Sequence, residues 1–117
     1  MNPIAECVEI LLETLSGGGI NCAADPQKLN LPGCWVTPAQ IEWLSLAGGS
    51  ARVTCDIYLI AQNHGYIDDV NKLDVMVSKA APLIDTATWQ VETINLTNQS
   101  ADSLPCLHGQ AIIEWRK

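Results

Sequence analysis

At 117 residues, with 13 Asp plus Glu against 6 Lys plus Arg and a net charge of -7, the chain makes one domain with room for a single core. The acidity argues against a protein that grips nucleic-acid phosphates, because such proteins gather basic side chains to displace counterions. Cys7, Cys22, Cys34, Cys55 and Cys106 contain no C-x-x-C pair and leave one thiol over in any disulfide scheme, which suits a reducing compartment.

The first element reads as a helix. Asn2 suits an N-cap and Pro3 a first helical position, after which Ile4, Cys7, Val8, Leu11, Leu12 and Leu15 recur on one helical face. Glu6, Glu9 and Glu13 interrupt the apolar residues too often for a membrane span, and MNPIAECVEILLETL lacks the basic start of a secretory leader, so a soluble protein made in a cytoplasm is expected. Gly17-Gly18-Gly19 closes the helix, and residues 19–32 read as a long irregular loop.

Residues 31–61, LPGCWVTPAQIEWLSLAGGSARVTCDIYLIA, read as two long strands closed by a tight turn. Gly48-Gly49 offers two residues free to take positive φ, as a two-residue hairpin turn requires. That turn would set Leu44 opposite Val53, Leu46 opposite Ala51, Trp43 opposite Thr54 and Ile41 opposite Asp56. Pro38, which cannot donate to a ladder, must then lie on an edge or at a bulge. In the second strand Val53, Cys55, Ile57 and Leu59 alternate with Arg52, Thr54, Asp56 and Tyr58. Ile41, Trp43 and Tyr58 are therefore expected together on the face away from Val53. With His64 and Tyr66 of the following loop, they are the candidate subunit or partner contacts.

Asp68 can cap a second helix, and with Asp69 it complements the helix dipole. Val70, Leu73, Val77, Ala80, Ala81 and Ile84 form its apolar stripe, and Pro82 must kink or end it. Strands at 89–96 and 106–115 read as a second hairpin. The order α-β-β-α-β-β predicts a two-layer α+β domain, an antiparallel sheet with both helices on one face.

Signals of chemistry are sparse. Cys106 and His108, two apart on one strand face, make half of a metal site at best, and the remaining ligand types are scattered. Cys106 is expected to pack as a small hydrophobe and His108 to face water. A thiol nucleophile with His64 or His108 as base would lack an orienting partner, and no nucleophile elbow, phosphate loop or nucleotide fingerprint occurs. No catalytic residue, metal or cofactor is expected.

The N-terminal helix, the loop ending in LPGCWV, the hairpin IEWLSLAGGSARVTCDIYLIA, the helix DDVNKLDVMVSKAAPLI and the closing strands together resemble the tail terminator proteins of long-tailed bacteriophages, those of actinobacterial phages in particular. The likeness spans nearly the whole chain and rests on element order, length and hairpin style. It implies a small α+β virion subunit that assembles as a hexameric ring on the head-proximal end of the tail tube, stops tube polymerisation and joins the tail to the neck. The implied partners are further copies of the chain, the tail tube protein and a neck or head-tail connector protein. DNA would pass through the lumen without specific binding, and no membrane is involved. A head-tail connector of similar fold is the second reading, and a small thiol enzyme using Cys55 or Cys106 the third.

Overall fold

The computed structural model describes residues 2–44, 49–61, 66–84, 88–94 and 104–116. It is an α+β fold with two helices and a five-stranded mixed sheet.

Helix α1 spans Pro3–Gly17 and buries Cys7, Val8, Leu11 and Leu15, four of the six residues of its expected stripe. Asn2 occupies the N-cap position without a side-chain cap; its carbonyl accepts from Glu6 N at 2.9 Å. At the other end Gly18 N–H donates to the Thr14 and Leu15 carbonyls, and Gly19 turns out of the helix at φ +87°.

The segment expected to be irregular is more ordered than its composition suggests. It holds the short strand β1, Cys22–Ala23, parallel to Cys34–Trp35, and a 3-10 turn at Pro26–Lys28. Asp25 Oδ1 caps that turn by accepting from Gln27 N at 3.0 Å. Two-residue strands and capped single turns leave no periodicity to read.

The longer strands are β2, Gly33–Trp43, β3, Ser50–Ile60, β4, Gln90–Ile94, and β5, Leu104–Arg116, in the spatial order β1-β2-β3-β5-β4. Only β1 runs parallel to its neighbour, so the expected antiparallel sheet is corrected to a mixed one. β4 and β5 form the expected second hairpin pairing. β3 lies at the centre, and its Ala51, Val53, Cys55, Ile57 and Leu59 are fully buried. This is the core face. Those side chains form one cluster with Cys7, Val8, Leu11 and Leu15 of α1 and with Leu73, Met76, Ala80 and Ile84 from the α2 region.

Helix α2 spans Tyr66–Ala80. It starts two residues before Asp68, so Asp68 and Asp69 lie in its first turn rather than at its cap, where they still meet the positive end of the helix dipole. Its buried stripe is rotated from the expected one: Met76 is buried, whereas Val70 and Ala81 are exposed. Pro82 lies two residues beyond the last helical residue, Ala80, where a proline no longer interrupts the helix.

The hairpin register differs from the expectation. Trp43 pairs with Ala51 and Ile41 with Val53, and Leu44 N donates to Ser50 O at 3.0 Å. Gly48, half of the proposed turn, lies outside the described residues, but the pairing is three positions from the one that a Gly48-Gly49 turn would set. A register shift between Pro38 and Gln40 makes Ala39 an extra residue, a β-bulge at the proline. Beyond that bulge, Ile41 and Trp43 share the core face with Val53 and Ala51, while Tyr58 stays on the opposite, second face.

Candidate functional site

The second face carries a group of polar and aromatic side chains joined by ring stacking and hydrogen bonds. Antiparallel pairing of Trp35 with Tyr58 and of Tyr58 with His108 sets three flat side chains in a row across β2, β3 and β5. Trp35 stacks on Tyr58 with centroids 5.2 Å apart and planes at 24°; Tyr58 stacks on His108 at 4.4 Å and 11°. Trp35 Nε1 is satisfied by the Ala24 carbonyl at 3.0 Å, which ties the row to the segment after β1.

His108 is held at both ring nitrogens. Nδ1 lies 2.9 Å from Glu92 Oε2 on β4, and Nε2 lies 3.0 Å from Asp56 Oδ1 on β3. Asp56 Oδ1 also accepts from Gln110 Nε2 at 3.0 Å. Ionised carboxylates only accept, so both hydrogen bonds form fully when both nitrogens carry protons, the imidazolium state. Burial works against that charge, but the hydrogen bonds to Asp56 and Glu92, together with their negative charges, outweigh it and raise the His108 pKa above its ordinary value. The expectation that His108 faces water is thereby corrected: its side chain is only 19% exposed.

Behind this row Leu29, Ile60, Leu104 and Cys106 form a small second core, against which Trp35 and Tyr58 pack. Cys106 is fully buried, as expected of a small hydrophobe, and burial followed by the Glu92 charge pushes its thiol up to about 11. Tyr58 is raised by burial and then by the Asp56 and Glu92 carboxylates. A buried, protonated thiol is a poor nucleophile. The imidazole has no free lone pair to act as a base, since Asp56 sits at Nε2 where a triad would place its nucleophile. Among the described residues no group of three or more His, Cys, Asp and Glu side chains is arranged to hold a metal ion. The arrangement is a hydrogen-bonded platform of half-buried rings edged by the Asp56 and Glu92 carboxylates.

The candidate contact residues from the sequence are dispersed. Tyr58 is in the stack. Ile41 is half-buried on the core face, and Trp43, 52% exposed, meets Trp115 edge to face with centroids 6.4 Å apart. His64 lies outside the described residues; Tyr66 opens α2, and its side chain is likewise outside them. Trp35, Asp56, Glu92 and His108 were missed as a group. The alternation that puts Asp56 beside Tyr58, and the two-residue spacing of Cys106 and His108, were visible. The β3–β5 pairing that joins them comes from distant parts of the chain.

No protein-family model matches this chain, and no curated protein sequence matches it.

Proposed function

We propose that the chain is a structural ring subunit of the tail-terminator type, closing the head-proximal end of a phage tail tube and joining it to the neck. One observation carries the reading, the asymmetry of the two sheet edges. From Gly109 to Arg116, β5 pairs only with β3 among the described residues, without proline or bulge, and Ile112 on this stretch is 60% exposed. The free edge of β2, by contrast, carries Pro38, the adjacent bulge and Glu42, devices that discourage strand addition. One open and one blunted edge suit a heterologous assembly, in which a subunit meets its neighbour through two different surfaces.

The finer architecture belongs to the same reading. Both helices lie on the core face in a two-layer arrangement, which is supported by the single cluster that α1 and α2 form with Val53, Cys55 and Ile57. The second face then stays available for the tail tube protein or the neck. A net charge of -7 lets DNA pass without being gripped. The reading assigns the protein no catalysis and no cofactor.

Negative-stain microscopy of the purified protein, with immunogold labelling of phage particles, tests it. Closed six-fold rings with an open lumen, and label at the head-proximal end of the tail, are expected. Absence of the protein from purified particles would overturn the proposal.

A further inference from the structure

Two of the six basic residues in the chain, Lys72 and Lys79, lie on α2 with Val75 between them, at spacings of three and four. These spacings place all three on one helical stripe. Val75 is 55% exposed and bracketed by the two lysines. The stripe walls a groove of about 340 Å³, floored by Ile20 and Met76 and closed by Pro32. Neither lysine forms an ion pair among the described residues.

Helix α1 carries the inverse pattern. Glu6, Ile10 and Glu13 are spaced by four and three, Ile10 is 49% exposed, and Glu9 adds a further carboxylate beside it. They border a separate groove of about 420 Å³ against the end of β5. Glu6 accepts a hydrogen bond from Trp115 Nε1 through one oxygen and keeps the other. Glu13 and Glu9 are exposed.

When the two stripes run antiparallel, the spacings coincide: Glu13 meets Lys72, Ile10 meets Val75 and Glu6 meets Lys79. We infer that the acidic α1 stripe of one copy docks antiparallel in the lysine-rimmed α2 groove of the next. Two copies of net charge -7 repel at long range, and local complementarity of this kind offsets that repulsion and orients the contact. The two grooves share no lining residue, so one subunit can offer both at once, which propagates head to tail. The inference rests on the ring reading and adds a helix-to-helix contact to the sheet-edge one.

Sedimentation equilibrium with Glu13→Lys, Lys72→Glu, the double variant, and a 1:1 mixture of the two single variants tests the pairing. Glu13 is exposed and Lys72 half-buried, and circular dichroism checks that each variant folds. Each single variant should weaken self-association about tenfold or more, the equivalent of ~1.4 kcal/mol. The double variant and the mixture should recover it, because opposite charges again face each other. Association of equal strength in all forms would leave the ring reading standing and overturn the docking inference. A wild-type chain that stays monomeric at ~1 mM, the weak limit of specific binding, would overturn docking and self-assembled ring together.

Discussion

Replacing His108 by Phe keeps a flat ring against Tyr58 and removes both charge-assisted hydrogen bonds, so it isolates the electrostatic part of the cluster. The Asp56 arm is the stronger, because the Asp56 side chain is 21% exposed; a hydrogen bond to a charged group in that setting contributes ~1.5 to 3 kcal/mol. Gln110 still donates to Asp56 in the variant, which holds the loss toward the lower end. Glu92 is 38% exposed, and its arm adds only ~0.5 kcal/mol after solvent screening. The sum is ~2 to 3 kcal/mol. With a urea slope of ~1.5 kcal/mol/M, the unfolding midpoint falls by ~1.3 to 2 M. The pH dependence gives the sharper test. His108 holds its proton more tightly folded than unfolded, so its contribution is complete below the unfolded value of ~6.5 and is lost as pH rises through the raised folded value. The wild-type advantage over His108→Phe should therefore be largest at pH 6 and shrink toward pH 8.5, while groups common to both proteins drop out of the difference. Parallel behaviour of the two proteins across that window would refute the imidazolium clamp.

Three further substitutions or probes follow from the packing. Gly33→Ala would place a Cβ 2.4 Å from the Asn30 carbonyl and 3.0 Å from that of Asn21, backbone atoms that cannot swing aside, so a loss of ~1 to 3 kcal/mol is expected in urea unfolding. Trp43→Ala removes the edge-to-face contact with Trp115 from a half-exposed position and should cost the isolated monomer ~1 to 2 kcal/mol; no measurable change would mean that the Trp43 ring does not pack there. Native-state alkylation should label Cys22 before the others, since Cys7, Cys34, Cys55 and Cys106 are buried and burial pushes Cys55 and Cys106 up to about 11. Fast labelling of Cys55 in the folded protein would contradict its place at the centre of the core.

What the sequence disclosed and what it hid have separate physical causes. α1 was legible because its apolar residues recur at helical spacing and its end is marked by three glycines. The core side of β3 was legible because strict alternation survives in a strand flanked on both sides. The rotation of the α2 stripe was not: Val70 and Met76 are both apolar, and only docking against the sheet decides which is buried. The His108 site was hidden for a related reason. Asp56, Glu92 and His108 lie on three strands, and the β5 insertion between β3 and β4 that unites them is a choice of topology, to which strand patterns are blind.

The bulge at Pro38 decides which side chains each face of the sheet presents. Side chains alternate with a period of two, so a single extra residue in β2 exchanges the faces of every side chain after it. Before the bulge, Trp35 and Thr37 lie across from Tyr58 and Asp56 on the second face; after it, Ile41 and Trp43 lie across from Val53 and Ala51 on the core face. Without Ala39 as the extra residue, Trp43 would join the second face and Glu42 the core. Instead, Glu42 is sent to the second face, where its carboxylate meets Arg52 at 2.9 Å, and Arg52 also reaches Glu114 at 3.6 Å. One proline-marked irregularity therefore gives the second face an aromatic and imidazolium platform at one end and a charged row at the other. It also turns the exposed Trp43 toward Trp115, at the same end of the molecule as the acidic α1 groove. Surfaces of different chemistry on different sides of one small domain are what the proposed head-to-tail ring would require.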